Sequence, residues 1–303
     1  MPSRGGATMI EASMGICPYA RAFADSIGTS SEADAVVTTT ICDQMRRMAD
    51  IMSARSSLPH FLLNLPSTWK HEGPQRLYRT ELARLGLFLS SLGGVTPSRE
   101  KLAEVMISFD DARQRLRSLR PSVTGAAFMT MMANFHENGP FGAGDRAMPQ
   151  SPRGLPLAVI GGPAMSFFFP LFEFIEHHGS LIVLDGTDTG ERSFPAPFDM
   201  EKLNDDPFEE MASAYFTTIP HPFRRPDSHL HSWLEREIPG RGVKGVILLR
   251  HTWCDIWHAE VMPIREKLHV PLLDLELNNE DYDGTGLCSR TANRIQAFLE
   301  VLG

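Results

Sequence analysis

Short apolar or β-branched runs alternate along the chain with longer segments whose apolar positions recur every three or four residues. The first run, AVVTTTI at residues 35–41, predicts a strand, because β-branched side chains suit a pleated surface better than a helix. Cys42-Asp43 follows, then a helical stretch over residues 44–52. HFLLNL at residues 60–65 predicts a second strand, and residues 74–92 and 97–119 predict two helices. In the second of these, Leu102, Val105, Met106 and Phe109 recur at helical spacing, with Thr96 as the expected cap and Pro97 at the first helical position. Residues 123–135 predict another helix.

Strand and helix then alternate more plainly. Residues 157–160 predict a strand that Gly161-Gly162-Pro163 turns into a Phe-rich helix ending at His177-His178-Gly179. Strands follow at 180–184, 243–249 and 272–277, with helices at 207–218, 228–237, 255–268 and 289–302. Continuous apolar strands separated by amphipathic helices indicate an α/β fold with parallel sheets covered by helices on both faces. Gly, Pro and Arg accumulate at residues 139–156, which reads as a linker. The expected organisation is an N-terminal α/β domain with a helical extension over 1–138, that linker, and a C-terminal α/β domain over 157–303.

Composition narrows the function. The chain is 42% hydrophobic and 22% charged with a net charge of −8, which argues against nucleic acid or an anionic membrane as the main partner. Residues 1–17 contain no apolar run of the secretory kind, and the most apolar stretch, residues 164–175, is too short to span a bilayer and contains Pro170 and Glu173. The expectation is a cytoplasmic chain, in which four cysteines do not form a disulfide framework.

Two of these cysteines occupy equivalent places. Thr40-Ile41-Cys42-Asp43 and Thr252-Trp253-Cys254-Asp255 each follow an expected strand and precede an expected helix. That is the sheet edge where ligands bind, and a helix N-terminus favours the thiolate. Cys17 lies in GICPYARAF, where Pro18 suits a turn that opens a helix. Three loops of this kind can hold one iron–sulfur cluster. Buried packing is the competing explanation, since free Cys is among the most buried residue types and no C-x-x-C pair is present.

The motifs in their order carry a resemblance. They are CPYARAF, VVTTTICDQMRRMADI, LYRTELARLGLFLSSLGG, SREKLAEVMISFDDAR, VIGGPA, LIVLDG with its following GER, DDPFEEMASAYF, GVILLRHTWCDIWHAEVMPIREKLHVPLLDLELN and TANRIQAFLEVL. Together they resemble the cluster-bearing subunits of 2-hydroxyacyl-CoA dehydratases and their relatives, the ATP-dependent benzoyl-CoA reductases. The resemblance implies two flavodoxin-like domains with a [4Fe-4S] cluster between them, held by Cys17, Cys42 and Cys254. It also implies a homologous second subunit, in a homo- or heterodimer, and an ATP-dependent iron–sulfur activator that delivers one low-potential electron. The implied reaction removes water from a 2-hydroxyacyl-CoA to give an enoyl-CoA. One electron on the thioester carbonyl gives a ketyl radical, which expels the neighbouring hydroxyl and makes the β-hydrogen acidic, while an iron left open by three cysteines acts as a Lewis acid. The alternatives are a reductase of the benzoyl-CoA type and a non-catalytic partner subunit. Relatives carry a longer segment before the first cluster cysteine, so residues lining their substrate site are expected from a partner or are missing here.

Other residues admit two readings. Cys288 is either the cluster's fourth ligand or a passive thiol at a helix start. Gly161-Gly162-Pro163 is either a phosphate cradle or a tight turn, and Arg192 pairs either with a ligand anion or with a neighbouring carboxylate. His251, Cys254, His258 and Glu260 suggest either a zinc site or, for His251, a proton donor or a hydrogen bond to sulfur. Phe128, Met129, Met131 and Met132 are expected in the core, and His177-His178 at a helix end closed by Gly179.

Overall fold

A computed structural model describes residues 15–29, 33–142, 152–165, 168–278, 281 and 287–303. The chain begins with α1 (Pro18–Thr29), β1 (Val36–Thr39), α2 (Asp43–Arg55), β2 (His60–Leu63), α3 (Glu72–Ser91), α4 (Arg99–Leu119) and α5 (Gly125–Asn138). It continues through β3 (Leu155–Gly161), α6 (Phe169–His177), β4 (Ser180–Thr187), α7 (Met200–Asp205), α8 (Pro207–Thr217) and α9 (Ser228–Gly240). The last elements are β5 (Gly245–His251), α10 (Asp255–Lys267), β6 (Leu272–Leu277) and α11 (Ser289–Leu302). Both sheets are parallel and flanked by helices, as the alternating pattern requires.

Contacts divide the chain into two units. One holds Asp111–Phe194 and His229–Gly303; the other holds the described residues up to Asp110 together with Pro195–Ser228. The division therefore passes through α4. Residues 111–138 belong with the larger sheet, while residues 195–228 return to the first part of the chain. Residues 143–151 of the expected linker lie outside the described residues.

In the larger-sheet unit the strand order is β4-β3-β5-β6. The chain moves outward from β3 to β4, then returns to the other side of β3 to lay down β5 and β6. That reversal creates a switch point between β3 and β5. Successive residues of β3 face opposite ways. Leu157 and Val159 join a core with Phe172 and Ile175 of α6 and Ile295 and Leu299 of α11. Ala158 and Ile160 join another with Leu230 and Leu234 of α9 and Trp257 and Ile264 of α10. All seven residues of β5 are buried, which is why that strand reads as an unbroken apolar run up to Leu249.

The other unit pairs β1 with β2 in a two-stranded sheet, Val36 opposite His60. Helices α1 and α2 pack through Ala20 and Ala24 against Met48 and Met52; the small alanines let them approach closely. Tyr78 of α3 packs with Ala212 and Phe216 of α8, and Met106 of α4 packs with Phe198, Leu203 and Ala214. The start of α4 differs from expectation. Ser98 Oγ accepts the Lys101 N–H at 3.2 Å, so Ser98 caps the helix, displacing Thr96 and Pro97 from those roles. Asp199 and Asp206 cap α7 and α8 in the same way. Among the described residues no helix is long and apolar enough to cross a membrane.

Candidate functional site

Cys17 and Cys42 come together in the smaller-sheet unit. Each stands immediately before a helix, at the starts of α1 and α2. The Ala20 N–H donates to Cys17 Sγ at 3.4 Å, and the Met45 N–H donates to Cys42 Sγ at 3.4 Å. Both thiols therefore take the place that a Ser or Asp oxygen holds in an ordinary helix cap. Gln44, in the first turn of α2, accepts the Cys17 N–H at 2.8 Å, tying one helix start to the other. Arg47 of α2 donates to the Gly15 carbonyl at 3.1 Å. Before Cys42, the buried Thr40 donates to Asn64 at 3.1 Å and accepts the Leu65 N–H at 2.9 Å, which fixes the ends of β1 and β2.

Burial governs protonation at this pair. Burial pushes the Cys17 thiol from 9.0 up to about 11; the Ala20 N–H opposes the rise and the neighbouring Cys42 adds to it. Two pKa units are about 2–3 kcal/mol against ionisation, more than the roughly 0.3–1 kcal/mol that a helix N-terminus returns. Alone, Cys17 stays a thiol. A cation at the sulfur reverses that balance, because soft thiolates are the natural ligands of zinc and of iron–sulfur groups. This donor set fits a resident metal–sulfur group.

Cys254 belongs to the larger-sheet unit, at the carboxyl end of β5 and so beside the switch point. Its N–H closes a tight turn onto the His251 carbonyl at 2.9 Å, and the Thr252 N–H reaches Leu277 at 2.9 Å. Within that turn Trp253 has φ of 69°. Cys254 is half-buried and precedes α10, without the capping sulfur bond seen at Cys17 and Cys42.

The residues around this edge take structural roles. Gly161, with φ of 139°, lies so close to β5 that a Cβ would meet the Leu249 carbonyl oxygen at 1.9 Å. The Gly162 N–H donates to that same carbonyl at 3.1 Å, so the GGP segment is a tight turn. Arg192 is buried, donates to the Gly161 and Gly186 carbonyls at 3.0 and 2.9 Å, pairs with Asp188 and lies 4.9 Å over the Trp257 ring. It clamps the ends of β3 and β4 together. His251 Nε2 donates to the Pro163 carbonyl at 2.9 Å and its ring stacks on Phe168, so that nitrogen is committed to backbone. Burial holds the His251 pKa below the ordinary value, against the Pro163 bond and the Asp188 charge. Glu260 is buried 3.1 Å from His231, while His258 is exposed; the run 251–260 does not converge on one zinc ion.

Cys288 sits at the start of α11, where its thiol donates to Asp281 at 3.4 Å. Asp281 is fully buried and also accepts from Arg290 at 2.8 Å, Thr291 at 2.7 Å and the Asn278 N–H at 2.7 Å. Burial pushes the Asp281 carboxyl up, but Arg290 and the other donors hold it below the usual carboxylate range. Cys288 thus belongs to a polar knot that starts a helix. Phe128, Met129 and Met132 are buried and Met131 is half-buried. His177 and His178 bond back to the Glu173 and Phe174 carbonyls at 2.7 Å before Gly179.

Sequence reading missed a second carboxylate knot. Glu191 binds Arg120 at 3.0 Å and Arg241 at 2.7 Å. Nearby, burial pushes the Asp185 carboxyl up to about 6 despite the bonds it accepts from the Thr187 hydroxyl and N–H. The only signal was the LDG and GER motif itself.

The family model described as 2-hydroxyglutaryl-CoA dehydratase, D-component, matches residues 6–302 of the chain. Among curated proteins no match was found.

Proposed function

The chain belongs to the 2-hydroxyglutaryl-CoA dehydratase D-component family, and from that premise we propose that it is one subunit of an iron–sulfur lyase converting a 2-hydroxyacyl-CoA to an enoyl-CoA. Cys17, Cys42 and Cys254 hold a [4Fe-4S] cluster in this reading, and both units are of flavodoxin-like descent. The observation that carries it is the pair of thiols at the starts of α1 and α2, each accepting a backbone N–H.

When bound, such a cluster supplies low-potential one-electron transfer and Lewis acidity, which removal of an unactivated β-hydrogen requires. The chain's own contribution begins with the Ala20 and Met45 N–H groups, which stabilise negative charge on the two sulfurs. Burial of Cys17, 7% exposed, keeps water from that ligand. Gln44 holds the two helix starts in register, so that neither thiol moves without the other. The turn at His251–Cys254 presents the third thiol at the start of α10. A D-component works with a further component; we propose a homologous subunit and an ATP-dependent iron–sulfur activator as partners, in the cytoplasm.

Anaerobic purification followed by iron and sulfide analysis tests the reading. Roughly four irons per chain are expected, falling in C42A and C254A but not in C288A. Conversion of a 2-hydroxyacyl-CoA without net reduction identifies the lyase, whereas a reduced product identifies a reductase. A colourless, iron-free chain purified with its partners present would sink the proposal.

A further inference from the structure

Two tryptophans stand two and six residues after β5 ends at His251, and they have opposite fates. Trp257 is 1% exposed and carries the Arg192 guanidinium on its ring. Trp253 is 59% exposed, and among the described residues it is the single non-glycine with a positive φ. A bulky L-residue rarely adopts that conformation, and glycine or asparagine adopts it at little cost. This sheet edge does use glycine where backbone alone matters, as Gly161 shows. Keeping an indole here, strained and turned outward, points to a use for its side chain.

Cys254 is the immediate neighbour. Cys17 is enclosed by its own core, with Ile16, Ala20 and Met48 around it. Cys254 packs at the margin of its own unit's core and is only half-buried, so its cover is less complete. We propose that Trp253 is a positioning residue that completes it: the indole shields a metal–sulfur group at Cys254 from solvent and dioxygen. This rests on the reading of Cys254 as a metal ligand. The αL backbone turns the residue before the thiol outward and lets its broad apolar face lie beside whatever the thiol binds.

The test compares wild type, W253F and W253G after anaerobic reconstitution with iron and sulfide. Iron content is measured first, then the rate at which the visible absorption bleaches in air-saturated buffer. Glycine tolerates the backbone conformation, so W253G is expected to fold and to bind as much iron as wild type. Its bleaching should be at least threefold faster, with W253F close to wild type because an aromatic ring remains. Equal iron and equal bleaching rates in all three proteins overturn the proposal while leaving the cluster intact. They do so equally if W253G loses only its association with a partner component, which would mark the indole as an interface residue. Absence of iron from all three removes the cluster reading and this inference together.

Discussion

At the scale of single residues, the Cys17 thiol makes stability depend on pH in a definite direction. Its folded value of about 11 lies above the ordinary 9.0, chiefly through burial. A group raised in this way contributes stability that is fully present below about pH 9 and is lost as pH rises toward about 11. Iron-free wild type should therefore lose roughly 2–3 kcal/mol more than C17A across that window, read from denaturant melts at stepped pH. Parallel losses in the two proteins would show that Cys17 is not the buried thiol described. Sequence made each cysteine visible beside a helix start but not the closeness of Cys17 to Cys42. That closeness depends on Ala20 and Ala24 meeting Met48 and Met52, and an alanine spacing of four is too common to announce a helix contact. Arg192 illustrates a choice that only burial decides. Its charge fitted a ligand anion and a neighbouring carboxylate equally, and burial against two carbonyls, Asp188 and an indole makes it a clamp.

At the scale of elements, β3 and β5 in the middle of the larger sheet were legible because burial on both faces leaves an apolar run, and β6 at its edge because its leucines alternate with Asp274 and Glu276. Their order was not, since β4-β3-β5-β6 is set by tertiary crossovers and leaves no local trace. Helix starts were legible only approximately. Ser98 and Thr96 are both good caps, and the choice falls on the one whose oxygen reaches the third N–H of the helix. The turn after β3 admits a sharper expectation. Gly161→Ala places a methyl against the Leu249 carbonyl and forces a φ of 139° on an alanine, at a cost of about 3 kcal/mol or more. Soluble yield and melting temperature should both fall, whereas Gly179→Ala, where a Cβ meets nothing, should cost less. Equal losses at the two glycines would show that close approach of the strands is not what selects Gly161.

At the scale of the whole molecule, a group that binds only the folded chain adds to its stability by mass action. Anaerobic chelation of iron should lower the melting temperature of wild type by several degrees and leave C42A unchanged; a drop of the same size in C42A would mean that the iron sits elsewhere. The route of the chain was the least legible feature. Composition marks residues 139–156 as a divide, but residues 195–228 rejoin the first part of the chain through contacts that only folding creates. This return path bears on how the protein can be cut and rebuilt. Tyr78 and Met106 are covered by Phe216, Leu203 and Ala214, so a recombinant fragment stopping at the middle of the chain would leave those faces bare and invite aggregation. Fragment complementation with a peptide spanning residues 195–228 is the way to obtain the smaller-sheet unit alone, and ribosomal synthesis must pass β3 and β4 before that unit can close.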